Sequence, residues 1–258
     1  YIESSTLFPQ SGGLRNYAQY THGSLLGCIA AWANWVSLVT IIPIEAVSAV
    51  QYMSSWPWEW AKPMGALMKD GSISTIGLFA VYVIIAIFSL LNYWSVKLLT
   101  SFTSLISVFK LGVPLLTIIM LMISGFDTNN YGHSASAFMP YGSAPIFAAT
   151  TTSGIIFSFN AFQTIINMGS EIKNPEKNIA RGIAISLTLS AILYIVLQST
   201  FITSMPSSMI HEHGWNGINF NSPFADMAIL LGINWLAILL YVEAVVSPFG
   251  TGVSFVAV

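Results

Sequence analysis

Six long apolar runs constrain the fold of this chain more than any other feature of its sequence. They lie at 25–52, 76–94, 98–124, 146–168, 183–205 and 229–258. A helix needs about 20 apolar residues to cross the hydrocarbon core of a bilayer. The runs do not show the alternating pattern of the roughly ten-residue strands that form membrane barrels. The sequence therefore predicts an all-α, polytopic membrane protein.

Charge and cysteine content exclude several classes of protein. Only 7% of the 258 residues are charged, whereas a soluble domain carries about 25%. Without a run of basic residues, the sequence offers no surface for nucleic acid. The single cysteine, Cys28, cannot form a disulfide framework or a cysteine metal cluster, and we expect no metal or other cofactor. Because the sequence opens without an initiator methionine and ends inside an apolar run, we expect a piece of a longer protein, truncated at both ends.

The balance of Lys and Arg in the short loops predicts how the chain is oriented in the membrane. One side holds Lys62 and Lys69, and the other side holds Arg15, Lys97, Lys173, Lys177 and Arg181. This bias places the loops at 95–97 and 171–181 in the cytoplasm. The loops at 53–72, 125–145 and 206–228 then face outward.

Two of the outer loops contain local signals. Trp56, Trp58 and Trp60 are residues of the type that lies at a membrane–water interface. The stretch SPFADMAILLG predicts a short surface helix before the last apolar run. Ser222 is the expected N-cap of that helix, and Pro223 is expected at its first helical position.

Polar residues recur on one face of three of the apolar runs. At 100° per residue, narrow arcs hold Asn34, Ser37, Glu45, Ser48 and Tyr52 in the first run, Thr103, Ser107, Lys110, Pro114 and Thr117 in the third, and Glu243, Ser247, Gly250, Thr251 and Ser254 in the last. Scattered polar residues would not align in this way on three helices. We expect these faces to meet each other or to enclose water.

Three ionisable residues on these faces are expensive to place in a membrane. A charged side chain at the centre of a spanning helix costs roughly 2.5–3.5 kcal/mol on insertion scales, so Lys110, Glu45 and Glu243 are expected to face the interior of the bundle. One interpretation is structural, with ion pairs or hydrogen bonds that fix helix packing. The other is functional, because burial disfavours the charged form of such groups and lets them bind and release protons near neutral pH.

The fourth apolar run predicts an interrupted helix. It reads IFAATTTSGIIFSFNAFQTIINM, in which three threonines, Ser153 and Gly154 disfavour a continuous helix. Each flank of about 12 residues would cover only about 18 Å, too short to cross the bilayer alone. Discontinuous helices are tolerated where their freed backbone groups line a cavity, and their ends there bind charged substrates. The alternative is an intact helix with small residues on a packing face.

Several motifs resemble those of the amino acid–polyamine–organocation transporters. They are FPQSGG at 8–13, FSFNAF at 157–162 and GSEIKNPEKNIARGI at 169–183. The stretches at 33–57 and 241–252 are similar to a bacterial subgroup of aspartate–proton or general amino acid symporters. The resemblance implies two inverted five-helix repeats, with this chain covering the end of the second helix to the eighth. Segment 1–145 would complete the first repeat, and segment 146–258 would begin the second. A shared Asn-Trp…Glu-Ala-Val pattern at 34–47 and 234–245, with Asn and Glu 11 and 9 residues apart, fits an inverted repeat.

The resemblance also implies roles for individual residues. The interrupted helix would bind substrate through Phe157, Ser158, Phe159, Asn160 and Ala161, with Phe159 as a lid. Lys110 would stand where sodium-coupled relatives bind an ion, with Ser247 as its neighbour. Glu45 and Glu243 join these two as candidate proton-coupling residues. Glu171 would help to form the inner gate. Phe162-Gln163 differs from the Phe-Glu pair of many members, which leaves the side-chain specificity open.

These features predict a secondary transporter in a bacterial inner membrane rather than an enzyme. The expected partners are an amino acid substrate, protons and the lipid bilayer. Proton symport is the first hypothesis, and an exchanger of the same fold is the alternative. A channel would show a filter loop or rings of like charge, which the sequence lacks. A membrane-embedded enzyme would need a catalytic constellation, but the histidines are expected in loops, and HEH at 211–213 is only half of a helical metal motif.

Overall fold

The computed structural model describes residues 2–8, 10–94, 96–139, 141–152, 154–160, 162, 164–167, 169 and 172–256. In chain order the helices are α1 (Ile2–Leu7), α2 (Gly13–His22), α3 (Ser24–Ser54), α4 (Thr75–Trp94), α5 (Val96–Ser124), α6 (Ala135–Phe138), α7 (Ala144–Thr152), α8 (Ile155–Ser158), α9 (Thr164–Asn167), α10 (Pro175–Ser204), α11 (Ser207–Gly217), α12 (Pro223–Leu230) and α13 (Asn234–Val256). Glu59–Leu67 and Thr128–Tyr131 form 3-10 helices. A small antiparallel hairpin pairs β1 (Met68–Lys69) with β2 (Ser72–Ile73).

Five of the described helices are long and apolar enough to cross a membrane. Within them the apolar stretches are Ser24–Ser54, Thr75–Tyr93, Ser104–Ser124, Pro175–Ser204 and Asn234–Val256. They coincide with five of the six predicted runs, so the all-α, polytopic architecture is confirmed.

The fourth predicted run is interrupted, as its composition indicates. Its first helix, α7, has nine residues and covers about 14 Å, which is too short to cross a bilayer. Gly154 follows with a φ of 74° in the left-handed region, a conformation that glycine adopts without a steric penalty. The helical pieces α8 and α9 contain four residues each. The prediction of a broken helix is confirmed for the described residues.

The last predicted run begins too early. A single helix from residue 229 was expected, but α12 ends at Leu230, and the chain turns at Gly232, with a φ of 75°, before α13 begins at Asn234. Pro223 does take the first helical position of α12. The surface location expected for α12 is wrong, because Met227 and Ala228 are fully buried. This helix is apolar enough to pack against α13.

Two other local predictions need correction. Ser222 is the N-cap residue of α12, but its side chain makes no capping hydrogen bond. Its backbone N–H instead donates to Asp226 Oδ2 at 3.1 Å. His22 ends α2, while His211 and His213 belong to α11, a short helix kinked at Gly214, so these three histidines do not lie in loops.

The described residues form two compact units, one from segments 1–38 and 131–195 and the other from 39–130 and 196–257. The first has a core of Tyr17, Ile166, Ile179 and Ile183. In the second, α13 packs against α4, α5 and α12. These units do not follow chain order, and the division into two repeats at residue 145 stays a prediction.

Close helix packing in the second unit depends on two glycines of α13. A Cβ added at Gly250 would overlap the side chain of Ile106 in α5. A Cβ added at Gly252 would overlap the ring of Phe88 in α4, which is fully buried. Small residues at such positions let helix backbones approach each other. The two glycines therefore set the spacing of α13 from its neighbours.

The tryptophans after α3 form one aromatic cluster. Trp58 and Trp60 stack with their ring centroids 5.5 Å apart and an angle of 6° between the planes. Trp56 meets both rings edge-on, at 5.2 and 5.5 Å. Trp58 also contacts Tyr241 of α13 edge-on, at 6.0 Å, and the Trp56 indole N–H donates to the Tyr241 carbonyl at 3.3 Å. The cluster therefore fixes the end of α3 against α13.

Candidate functional site

A cavity of about 410 Å³ in the second unit contains Lys110, Glu45 and Glu243. The elements around it are α3, α5, α12 and α13. Its polar and aromatic lining includes Ser48, Tyr52, Ser222, Phe224, Tyr241, Ser247 and Thr251. Three ionisable side chains of helices that are apolar elsewhere thus share one cavity. We call it the Lys110 cavity.

The helical spacing of the sequence explains why these side chains converge. Glu45, Ser48 and Tyr52 lie on one face of α3, and Glu243, Ser247 and Thr251 follow one another at four-residue steps on α13. Parts of the predicted polar faces lie elsewhere. Asn34 donates to Asn167 Oδ1 at 3.4 Å within the first unit, and the side chain of Thr103 lies outside the described part of the chain.

Lys110 is bound to a hydroxyl rather than closely paired with an acid. Its ammonium donates to Thr251 Oγ1, whose own hydroxyl donates to the Ser247 carbonyl at 3.4 Å. The ammonium interacts electrostatically with Glu45 and Glu243. Among the described residues, however, ion pairs within 4.0 Å form only between Glu59 and Lys62 and between Glu212 and His213.

Both carboxylates have hydroxyl-bearing residues on their own helices. Ser247 lies one turn after Glu243 on α13, and Ser48 lies close to Glu45 on α3. Tyr52 interacts electrostatically with both acids. All three ionisable side chains of the cavity are half-buried. The cavity therefore combines a half-buried amine, two acids and several hydroxyl groups.

The wall formed by α12 was not predicted from the sequence. Asp226 fixes this helix, because its carboxylate accepts from the Tyr241 hydroxyl at 3.2 Å and from the Ser222 N–H at 3.1 Å. Ser55 and Ser222 share a hydrogen bond of 3.3 Å between their hydroxyls. The one sequence signal for this wall is Asp226, an acidic residue in the first turn of the predicted helix, four positions after its N-cap.

The interrupted helix contains the residues expected to bind substrate. Ser158 ends α8 and its hydroxyl donates to the Gly154 carbonyl at 3.0 Å. Phe159 packs edge-to-face against Tyr194 of α10, with ring centroids 5.4 Å apart. The side chain of Phe157 is 48% exposed, and Asn160 lies in the turn after α8. Ala161, Gln163 and Glu171 lie outside the described residues.

A second cavity of about 320 Å³ lies beside this interruption, within the first unit. Its lining includes Ser158, Phe159, Asn160, Thr164, Ser186 and Ser190. The described lining residues carry no charge, and α10 contributes Gly182, Ser186 and Ser190 at four-residue steps. This spacing is visible in the sequence but was missed. Across the described residues, no group of three or more His, Cys, Asp or Glu side chains is placed to bind a metal ion.

Comparison with known proteins gives one matching family and several named relatives. The amino acid permease family model matches residues 1–258. The chain is 49% identical over 257 residues to the glutamate/serine transporter AimA of Bacillus subtilis (strain 168), an alignment that covers 100% of this chain and 47% of that protein. It is 36% identical over 256 residues to the aspartate-proton symporter of the same organism, covering 98% of this chain and 47% of the symporter.

A more distant match is the methylthioribose transporter of Bacillus subtilis (strain 168). It is 26% identical over 237 residues, covering 90% of this chain and 49% of that protein. The chain therefore spans about half the length of the curated relatives it matches. The Lys110 cavity and the interrupted helix lie within the half that these relatives share with it.

Proposed function

Because the chain belongs to the amino acid permease family, we propose that it acts in secondary active transport of amino acids across the cell membrane, coupled to protons as a symporter. It is a multi-pass membrane protein, with five described helices able to span a bilayer. The named relatives are transporters rather than enzymes. The glutamate, serine and aspartate of their names support amino acids as the substrate class here. The proton in the second name supports symport.

The observation that carries this proposal is the Lys110 ammonium in its cavity. It donates to Thr251, close enough to Glu45 and Glu243 to interact with both electrostatically. A protonatable amine on an apolar helix is a functional group by default, since placing it there is expensive. In this proposal Lys110 is the coupling residue, Glu243 and Glu45 are the neighbours that accept or supply its proton, and Ser247 is the neighbouring hydroxyl that belongs to the same coupling site.

Transport requires that proton binding change the balance between two conformations. Protonated Lys110 donates to Thr251 and stabilises the conformation in which that hydrogen bond forms. When it loses the proton, it can no longer hold the bond as an ammonium, and the constraint is released. Coupling follows only if the proton affinity of this cavity differs between the conformations, because a ligand shifts an equilibrium by its differential affinity.

The interrupted helix is the proposed substrate site. Backbone groups at an interruption can bind the charged ends of an amino acid, and the segment proposed for this role runs from Phe157 to Ala161. Phe159 is the proposed lid over the substrate. Glu171 is proposed for the inner gate on the strength of its sequence motif alone. The exchanger alternative uses the same site without a proton-driven step.

Replacing Lys110 tests the proposal directly. We expect Lys110→Ala, in the full-length protein reconstituted into liposomes, to abolish amino acid accumulation driven by a pH gradient. One proton per substrate would support about tenfold accumulation for each pH unit, so the loss is easily measured with a labelled panel of acidic, small polar and basic amino acids. Thr251→Val, which removes the hydroxyl partner but leaves the amine, should weaken the same response.

The matched control is Lys62→Ala, which removes an exposed lysine paired with Glu59 at 2.5 Å. It should accumulate amino acids as the wild type does. Normal pH-dependent accumulation by Lys110→Ala would rule out Lys110 as the coupling residue. A wild-type protein that shows counterflow but no accumulation under a pH gradient is an exchanger, and one that moves no amino acid in either assay overturns the proposed function.

A further inference from the structure

Two contacts from one tyrosine converge on the interruption. The Tyr194 hydroxyl donates to the carbonyl of Ser158 at 3.3 Å. Its ring meets Phe159 with centroids 5.4 Å apart and planes inclined by 72°, which is the edge-to-face geometry that aromatic pairs favour. A single side chain of α10 thus binds both the backbone at the end of α8 and the ring of the next residue.

The backbone contact satisfies a group that the interruption sets free. Helix α8 ends at Ser158, and the last four carbonyls of a helix have no partner within it. An unsatisfied carbonyl is costly in a membrane protein, where side chains of neighbouring helices take over such bonds. Tyr194 supplies that bond to Ser158. The hydrogen bond therefore favours the interrupted conformation over one that moves away from α10.

The ring contact determines one wall of the uncharged cavity. Phe159 lines this cavity together with Gly182, Ser186 and Ser190 of α10. Tyr194 continues the same four-residue series along a helix of 30 residues, so it projects from the same face. A long regular helix is a firmer support than a turn. The long helix α10, rather than the turn that contains Phe159, therefore determines where the Phe159 ring lies.

We propose that Tyr194 is a positioning residue for substrate binding, holding Phe159 and the end of α8 in the conformation that binds the amino acid. The inference rests on the proposed function, in which Phe159 closes over the substrate. If Tyr194 is removed, the binding-competent arrangement is populated less of the time. The apparent affinity for substrate then falls in proportion to the fraction of molecules that remain in the binding-competent conformation.

The contact between Tyr194 and Phe159 can be measured without a transport assay. The full-length protein, with para-fluorophenylalanine at position 159, is placed in lipid nanodiscs and its fluorine NMR signal is recorded without substrate. We expect Tyr194→Leu to shift and narrow that signal, because the ring loses its neighbour and reorients faster. Tyr194→Phe keeps the ring contact and should produce the smaller change. An unchanged signal in Tyr194→Leu overturns the proposal.

Uptake kinetics test whether the contact between Tyr194 and Phe159 contributes to substrate binding. Tyr194→Phe loses one hydrogen bond and should raise KM about fivefold, which corresponds to about 1 kcal/mol. Tyr194→Leu also loses the ring contact and should raise KM about 30-fold, with a smaller effect on the maximal rate. In a Phe159→Leu background the cost of Tyr194→Leu should shrink, since residues that act through each other are not additive.

The matched control is Tyr82→Leu, at a tyrosine of α4 that is 62% exposed. This substitution should leave both the fluorine signal and KM unchanged. Full additivity of the Phe159 and Tyr194 substitutions, or an unchanged KM in Tyr194→Leu, overturns the positioning role. A wild-type protein without amino acid uptake refutes the proposed function instead. The fluorine spectra then still decide whether Tyr194 holds Phe159.

Discussion

Lys110 keeps its ammonium hydrogen-bonded to Thr251 and has no carboxylate within ion-pair distance among the described residues. A lysine in a direct ion pair would hold its proton tightly. Losing the proton would leave the partner carboxylate buried without a counter-charge, which is strongly destabilising. At the scale of the residue, a looser arrangement with two acids nearby supports the titrating role proposed for Lys110. The Lys110→Ala experiment decides between that role and the structural alternative, in which ion pairs fix the helices.

Tyr17 presents a different polar group, buried in the first unit. Its hydroxyl has no hydrogen-bond partner in the described part of the chain, and its side chain is only 9% exposed. Burial raises the pKa of the Tyr17 phenol, so the group stays a neutral hydroxyl at physiological pH. An unsatisfied buried hydroxyl costs stability, whereas an apolar group of the same shape does not.

We expect Tyr17→Phe to raise the free energy of unfolding by about 1 kcal/mol, because it removes this unsatisfied group and keeps the ring. The measurement is denaturant unfolding of the full-length protein in detergent. Tyr20→Phe is the control, at a ring that is 54% exposed. Its hydroxyl donates to Gln10 Oε1 at 3.2 Å, but water can satisfy the exposed Gln10 oxygen, so this substitution should change stability little. A loss of stability in Tyr17→Phe would mean that the hydroxyl has a partner in the folded protein.

At the scale of the helix, composition predicts structure where the signal is local. Three threonines and Gly154 indicate the interruption, and the four-residue recurrence of Glu243, Ser247 and Thr251 indicates a polar face. The end of a helix inside an apolar run has a weaker mark. A single glycine, Gly232, turns the chain between α12 and α13, but the apolar composition continues through it because α12 is buried, so the sequence predicts one long span there.

The glycines of α13 give a prediction about helix packing. Gly252→Ala adds a methyl group against the buried ring of Phe88, and overpacking of this kind costs about 1–3 kcal/mol. The control is Gly112→Ala in α5, where a Cβ meets nothing within 4 Å. That substitution should stabilise its helix by up to about 1 kcal/mol. Thermal unfolding in detergent should therefore move in opposite directions for the two variants. Equal shifts would contradict the close packing of α13 on α4.

At the scale of the whole molecule, the sequence predicts the class of fold and most of the residues of the Lys110 cavity. Long apolar runs and low charge are global properties, and the lining of α3, α5 and α13 follows from helical periodicity. The contribution of α12 does not follow, because Asp226 and Tyr241 meet through tertiary structure. Tyr194 was missed for the same reason, since nothing local links it to Phe159.

Orientation in the membrane is a second property of the whole chain, and the Lys and Arg bias predicts it. In a Cys28→Ser background, Asn129→Cys should react with a membrane-impermeant thiol reagent added to intact cells. Asn178→Cys, at the start of α10, should react only after the membrane is opened. Removing Cys28 is necessary because this cysteine is free and exposed. The reverse labelling pattern would show that the charge bias has been read with the wrong sign.

The aromatic cluster at the end of α3 gives the molecule an optical property of its own. Indoles as close as those of Trp58 and Trp60, stacked 5.5 Å apart, couple their strong far-ultraviolet transitions, and we expect a paired circular-dichroism signal from them. Trp58 touches the ring of Tyr241, which lines the Lys110 cavity. A native chromophore is therefore attached to the cavity wall, so rearrangement there can be followed by spectroscopy without an added label.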